Sequence, residues 1–365
     1  MLPINDLHRH NQPLLDDLQR AMERVLRRGY YILGPEGQAF EHAFANYLKV
    51  ADAVAVGNGT DALELALRAL EVGPGDEVIT VANAGMYASS AIRAVGAEPR
   101  YVDIEPVHLL MDVSLVAPLI GPRTRAVIAT HLYGRMADVG RLRALCDGAG
   151  IALIEDCAQA HGARRDGRAA GAWGHLSTFS FYPTKNLGAL GDGGLVSGTD
   201  RDALSRVRQL RQYGWGSKYQ VVVGGGRNSR LDELQAAVLL EKLPHLDRWN
   251  EQRRDVARAY RAGLSNLGWV LPGEPHDDDV CHLFVVQLPA RDEVRKRLAE
   301  AGVGSDVHYP IADHLQGGRQ AEALSLPVTV AVTPRLMSLP CFPELTETEI
   351  STVIAACQQA VKGVA

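Results

Sequence analysis

Lys185 stands in surroundings that do not suit a surface lysine. The segment Ser177-Thr-Phe-Ser180-Phe-Tyr-Pro-Thr184-Lys185-Asn186 leads directly into the glycine-rich stretch Leu187-Gly-Ala-Leu-Gly191-Asp192-Gly193-Gly194. An amine withdrawn from water by apolar neighbours has a lowered pKa and becomes a nucleophile toward an aldehyde. Ser180 lies five residues earlier and adds a hydroxyl that can meet a phosphate. A second group of residues follows the apolar run Ile151–Ile154, namely Glu155-Asp156-Cys157-Ala158-Gln159-Ala160-His161-Gly162. A carboxylate at the end of an apolar strand is costly to desolvate unless a cation meets it. A protonated pyridine nitrogen is such a cation, and a carboxylate beside it keeps the ring protonated as an electron sink. Asp156 is the candidate, with Gln159 in reach of a ring hydroxyl and His161 facing the same pocket. A helix-capping aspartate would explain the position equally well.

The third group is Gly57-Asn58-Gly59-Thr60-Asp61. Glycines allow a tight turn and close approach of a ligand, and a helix N-terminus with a threonine hydroxyl forms a phosphate site. The segment lacks the lysine of a P-loop and the spacing of a dinucleotide fingerprint. Taken alone, it is better explained as a plain strand-to-helix turn capped by Thr60 or Asp61. Taken with the other two groups, it supplies the phosphate end of one site.

The elements that must position these residues are legible between residues 50 and 200. Short apolar, β-branched runs occur at Ala53–Val56, Glu77–Val81, Arg100–Ile104, Ala126–His131, Ile151–Ile154, Ser177–Tyr182 and Leu195–Ser197. Helical spacing separates several of them, as in Asp61–Leu70, where Leu63, Leu67 and Leu70 recur on one face. Strands alternating with helices predict an α/β domain with a mainly parallel sheet covered on both faces. Ligands of such sheets bind beyond the carboxyl ends of the strands, where all three groups fall. A further helix is predicted over Leu231–Leu243, ended by Pro244. Beyond it, a strand over Leu283–Leu288 and a helix over Arg291–Ala301 predict a smaller α+β domain from about residue 246.

With 365 residues, 46% hydrophobic and 22% charged, the chain can bury a sizeable core. A net charge of -5 gives no case for binding nucleic acid or an anionic membrane. No apolar run has the length of a membrane span, and Met1–His10 lacks the apolar core of a signal peptide. Five cysteines, odd in number and without metal spacing, suit a reducing cytoplasm. His8-Arg9-His10 and His308 to His314 do not have the spacing of a metal site, so no metal is expected. Gly224-Gly-Gly226 reads as a flexible loop.

Across most of its length the chain resembles the sugar-aminotransferase family of fold-type I pyridoxal-phosphate (PLP) enzymes, known as the DegT/DnrJ/StrS family. The resemblance rests on an ordered series: Ile32-Leu-Gly-Pro-Glu36, Gly57–Asp61, Pro74-Gly-Asp-Glu-Val78, Glu155–Gly162, Phe179–Gly194, Asn228-Ser-Arg230-Leu-Asp-Glu-Leu-Gln-Ala236 and Val307-His-Tyr-Pro310. It implies a large PLP-binding domain over residues 1–245, including an N-terminal segment, and a small C-terminal domain over 246–365. It places Lys185 where the family attaches its cofactor covalently and Asp156 where the pyridine nitrogen is paired. Gln159 falls near the ring oxygen. Gly59, Thr60, Asp61 and Ser180 fall around the phosphate, and Asn228 matches a phosphate ligand donated by a neighbouring subunit. A homodimer with shared active sites is therefore implied. His161, Arg230, His308 and Tyr309 fall on the sugar-nucleotide side. Many relatives place an aromatic residue over the ring where this chain has Gly85, so either Met86 or Tyr87 covers it or the site is more open.

The activity implied is transfer of an amino group from L-glutamate, by way of pyridoxamine phosphate, to a keto-deoxysugar nucleotide. The variant loop Asn83-Ala-Gly85-Met86-Tyr87 resembles relatives that aminate C3 of dTDP-3-keto-6-deoxyhexoses in antibiotic pathways. Amination at C4 is the alternative. Relatives that dehydrate sugars carry histidine in place of the lysine, which argues against that reaction. A ligand-binding regulatory paralogue would not need the lysine, acid, glutamine and phosphate residues together.

Overall fold

The computed structural model describes residues 1–316 and 325–363. Seven strands form its main sheet: β1 (Asp52–Val56), β2 (Glu77–Val81), β3 (Glu98–Val102), β4 (Thr124–Thr130), β5 (Ala152–Asp156), β6 (Leu176–Ser180) and β7 (Gly194–Gly198). Their order is β1-β7-β6-β5-β4-β2-β3. The pairs β3/β2, β2/β4, β4/β5 and β5/β6 are parallel, while β7 runs antiparallel to both β6 and β1. β5 lies centrally, so its carboxyl end opens onto the middle of the sheet's upper edge.

Alternate residues along each strand bury into opposite faces, as the pleat requires. Ala53 and Ala55 join one apolar cluster and Val54 and Val56 the other; Val127 and Ala129 are likewise separated from Ala126 and Ile128. The first face is covered by the helices Pro35–Leu48, Val139–Ala149 and Glu233–Lys242, the second by Gly59–Ala69, Tyr87–Ala94 and Arg201–Leu210. Phe40, Phe44, Phe179 and Phe181 meet edge-on beneath the lysine loop, with Phe44 and Phe179 centroids 4.9 Å apart. Edge-to-face pairs add ~0.5–1.5 kcal/mol each beyond area burial, which makes a stiff floor for the loop above.

A second, smaller core gathers Val256, Tyr260, Phe284, Leu298, Met337, Phe342 and Val353. Here β8 (Phe284–Gln287) pairs antiparallel with β9 (Leu336–Leu339), flanked by the helices Arg291–Glu300 and Glu347–Ala360. The chain crosses the boundary expected at 245/246 in both directions. Its first residues pack on the C-terminal unit: Leu2 bonds Gly302 and Gly304 through the main chain, and Arg9 pairs with Glu349 at 2.8 Å. The helix Leu246–Leu264 begins in the large core at Leu246 and ends in the small one at Leu264. Asp313, Val328 and Thr329 return to the sheet, where Asp313 N donates to Ala82 O and Asp103 accepts from the Val328 and Thr329 amides. These are contacts between residues far apart in sequence, and hydropathy texture carries no record of them.

Two of the segments quoted above meet to make a joint in the fold. The fully buried Glu233 carboxylate accepts from the Gly34, Glu36 and Gly37 amides at 2.8–2.9 Å, closing the N-terminus of the helix Pro35–Leu48.

Candidate active site

A cavity of ≈ 430 Å³ opens at the carboxyl ends of β4, β5 and β6. Of the residues singled out in the sequence, Gly59, Thr60, Tyr87, Asp156, Gln159, Ser180, Lys185 and Tyr309 line it. Burial pulls the Lys185 amine down to about 8, with Asp156 acting in the opposite direction. Near neutrality a useful fraction of that amine is therefore uncharged and nucleophilic.

Asp156 ends β5, and burial pushes its carboxyl above the ordinary range against the pull of the Ala158 amide and of Lys185. Its oxygens receive Ala158 N at 3.1 Å and, at the limit of a hydrogen bond, Thr130 Oγ1 at 3.5 Å. The preceding Glu155 points to the other face and is fully satisfied. It accepts from His131 Nε2 (3.0 Å), the Gly171, Trp173 and Gly174 amides (2.7–3.0 Å) and Ser177 Oγ (3.0 Å). Burial works against ionisation of Glu155, but these donors hold its pKa below the ordinary value. One carboxylate supports the fold; its neighbour reaches the cavity short of donors.

The end of the cavity at Gly59 is built by close packing. A Cβ on Gly59 would lie 2.6 Å from Ser180 Cβ, so glycine lets the helix Gly59–Ala69 begin against β6. Asn58, and neither Thr60 nor Asp61, caps this helix, accepting from Asp61 N at 2.8 Å. The amides of Gly59 and Thr60, first in the helix, have no partner within it. With Ser180 Oγ they form an anion-binding end.

Gln159 Oε1 accepts from Tyr133 N at 2.6 Å, and its Nε2 donates to the Tyr309 hydroxyl at 3.2 Å. Tyr133 adopts φ 62°, a left-handed conformation costing roughly 1–3 kcal/mol in a non-glycine residue, and this aims its amide at Gln159. Tyr309 meets Tyr87 edge-on with centroids 6.1 Å apart.

The other expected residues lie outside the lining of this cavity. His161 does not line the cavity; it is fully buried beneath it against Phe179 and Phe181, and burial pulls its ring down to about 3. Its aromatic neighbours replace the polar pocket that its place in the motif suggested. Asp61 turns away from the cavity and pairs with Arg227 at 3.2 Å, because the first turn of the helix carries it to the far side. Met86 is 41% exposed and outside the lining, which leaves Tyr87 on the cavity wall. Arg230 lies outside it as well, its guanidinium 5.9 Å from the Tyr213 ring. His308 bonds Ser338 Oγ at 2.8 Å and contributes its carbonyl to Tyr133 Oη. Asn228 is exposed and outside the cavity of its own chain.

Sequence reasoning did not single out Asn58, Thr130, Tyr182 and Asp192, which also line the cavity. Each sits at the end of an apolar run or inside a quoted motif, so position beyond a strand was the available signal. Tyr133 carried none. His131, Glu155 and Cys157 cluster closely enough to suggest a metal, but the lone pairs of His131 and Glu155 are taken by hydrogen bonds. Ala137 N donates to His131 Nδ1 at 3.1 Å, which leaves Nε2 protonated and donating to Glu155.

The family model for the DegT/DnrJ/EryC1/StrS aminotransferases matches residues 14–358. The chain belongs to that family. The aminotransferase is 45% identical to the erythromycin biosynthesis sensory transduction protein EryC1 of Saccharopolyspora erythraea over 359 residues, 97% of this chain and 98% of the relative. It is 44% identical to a dTDP-3-amino-3,4,6-trideoxy-alpha-D-glucose transaminase of Streptomyces venezuelae, over 98% of this chain and 96% of the relative. The crystal structure of S. venezuelae DesV in complex with a ketimine intermediate superposes with a TM-score of 0.96 at 43% identity, covering 100% of this chain and 99% of the other. Enzymes of this family work with PLP. The aminotransferase's cavity fits that cofactor: a buried, under-bonded carboxylate for the pyridine nitrogen, a depressed amine for the aldehyde, and an anion-binding end for the phosphate.

Proposed function

We propose that the enzyme transfers the amino group of L-glutamate to C3 of a dTDP-linked 3-keto-6-deoxyhexose, in the biosynthesis of an antibiotic amino sugar. The observation that carries the reading is the convergence of Lys185, Asp156 and the Gly59–Thr60–Ser180 end on one cavity. The names of the relatives support sugar-nucleotide chemistry at C3.

PLP, when bound, supplies an electron sink. Asp156 would hold the proton of the ring nitrogen, and Gln159, fixed by Tyr133 and Tyr309, would meet the ring oxygen. Thr60, Ser180 and the first helical amides receive the phosphate. Lys185 Nζ would hold the cofactor, and the same Nζ would carry a proton as general base and then as general acid. Tyr309 and Tyr87 wall the cavity against water on the side where the sugar enters.

Asn228 serves a second copy of the chain as a phosphate ligand. Its exposure supports this, together with exposed apolar residues nearby that need a partner, among them Tyr213, Tyr219, Val221 and Val222. The five cysteines, all buried and unpaired, support work in a reducing cytoplasm. Among the described residues no helix is long and apolar enough to cross a membrane.

The test is an absorbance titration of the PLP-loaded protein with L-glutamate, before any sugar is added. Loss of the lysine-bound PLP band with release of 2-oxoglutarate is expected, followed by turnover on 3-keto and not 4-keto sugar nucleotides. Lys185→Ala should abolish turnover and leave folding intact. Appreciable steady-state transamination by that variant would sink the assignment.

A further inference from the structure

Behind the cavity, three side chains and two main-chain carbonyls form a run of hydrogen bonds. The His282 ring meets Asn186 Oδ1 through Nδ1 at 2.9 Å, and Asn186 Nδ2 donates to Asn250 Oδ1 (2.9 Å) and Val280 O (3.1 Å). Asn250 Nδ2 in turn donates to His161 O at 2.8 Å. Both amide orientations follow from this, because each nitrogen faces an acceptor; His282 Nδ1 must then carry its proton. Asn186, Asn250 and His282 are buried, so a lost bond would not be replaced by water.

The place of the run in the fold gives it a purpose. Asn186 adjoins Lys185 on the loop after β6. His161 lies on the loop after β5, which begins at Asp156 and carries Gln159. Asn250 stands on the helix that joins the two cores, and His282 precedes β8 of the smaller one. Gly162 makes room for the joint: a Cβ there would lie 2.7 Å from Asn250 Nδ2 and 2.6 Å from Tyr47 Oη. Two residues beyond Asn186, Gly188 O accepts from the buried Lys242 Nζ at 2.8 Å, which pins the far side of the same loop.

We propose that Asn186 and Asn250 are positioning residues, whose amide-to-amide hydrogen bond fixes the Lys185 loop against the loop carrying Asp156 and Gln159. The proposal rests on the cofactor reading above and goes beyond it by assigning the residues that set the cavity's geometry without touching the cofactor. The titratable groups facing Lys185 are Asp156, His161, His282 and His308. A displaced loop changes its distance from all of them at once.

The experiment uses Asn250→Asp in the full-length, PLP-loaded protein. The change is isosteric but sets a carboxylate oxygen against the His161 carbonyl. Two readouts are taken: the pH midpoint of the lysine-bound PLP absorbance band, and kcat with KM for the sugar nucleotide per PLP-loaded site. A misplacement of the loop should lower kcat about tenfold to a hundredfold and leave KM within about threefold. The spectral midpoint should move by more than about half a pH unit. If Asn250→Asp does not fold, Asn250→Ser, which removes both bonds without adding charge, is read the same way. A variant that only melts earlier, with kcat within about twofold and an unmoved midpoint, overturns the proposal. Absence of the band from the unmutated protein would overturn the lysine assignment and the positioning role with it.

Discussion

Replacing Glu155 and Asp156 in turn should separate what supports the fold from what serves the site. Glu155→Gln keeps the shape of the side chain but sets an NH2 group among donors. One carboxylate oxygen accepts from His131 Nε2 and Gly171 N, the other from Trp173 N, Gly174 N and Ser177 Oγ. Whichever way the amide lies, at least two buried N–H groups lose their acceptor. Breaking a buried charge-paired network of this kind costs about 3–5 kcal/mol. With ~2.1 cal/mol/K of unfolding entropy per residue, a chain of 365 residues should melt about 4–6 °C lower. Asp156→Asn should behave oppositely in the cofactor-free protein. Burial raises the folded pKa of Asp156, so between the ordinary value of 3.8 and the folded pKa the folded state binds more protons, and stability falls as pH rises. Above that window the cost of the buried charge persists, and asparagine removes it. Asp156→Asn should therefore melt no lower than the unmutated protein near pH 7, while losing about 10²-fold to 10³-fold in kcat. Calorimetry of the three cofactor-free proteins, followed by steady-state assay with PLP, measures both. A Glu155→Gln variant melting within about 1 °C of the parent, or an Asp156→Asn variant falling as far as Glu155→Gln, would refute the reasoning.

Capture of PLP by the cofactor-free protein should speed up as pH rises, half-maximal near about 8, because only the neutral Lys185 amine attacks the aldehyde. Stopped-flow absorbance across pH 6–10 checks this, and a midpoint at the unburied value of 10.5 would show that burial does not tune the amine. Gly59→Ala should weaken PLP retention about tenfold or more, since the new methyl carbon overlaps Ser180 Cβ at 2.6 Å and must push the phosphate end apart. Equilibrium dialysis of the variant measures this; unchanged retention would mean that the helix start is not part of the phosphate site.

The sheet was legible because its strands are short apolar runs in a regular alternation with helices. Each of the seven runs became a strand, with ends moved by a few residues where polar residues such as Glu98 and Thr124 continue the ladder. The place of the cavity was legible for a related reason: Lys185, Asp156, Gln159 and Ser180 lie at or just beyond strand ends, where an α/β sheet puts its site. His161 was misread because its motif lies at the cavity while its own side chain turns under it, a rotation of one residue that spacing cannot reveal. Tyr133, Asn250 and His282 were invisible because they reach the site through long-range packing. The folding of the first residues onto the C-terminal unit was hidden for the same reason.

Gly85 shows how a departure from a family pattern can be resolved by geometry. The residue adopts φ +76°, and a Cβ on it would lie 3.0 Å from the Tyr87 ring and 3.4 Å from that of Tyr309. A large side chain at this position would therefore compete with both tyrosines. The aromatic wall is made instead from Tyr87, the first residue of the helix after β2, and from Tyr309, which comes from the distant C-terminal segment. Tyr309 is held by Gln159 Nε2, and Gln159 by the strained Tyr133, whose hydroxyl returns to the carbonyl of His308. Gln159, Tyr133, His308 and Tyr309 thus form one hydrogen-bonded ring, closed through the peptide that joins His308 to Tyr309. A substitution at Gly85 that displaced Tyr309 would also release Gln159, so the glycine matters to the Gln159 side of the cavity as much as to its tyrosine wall.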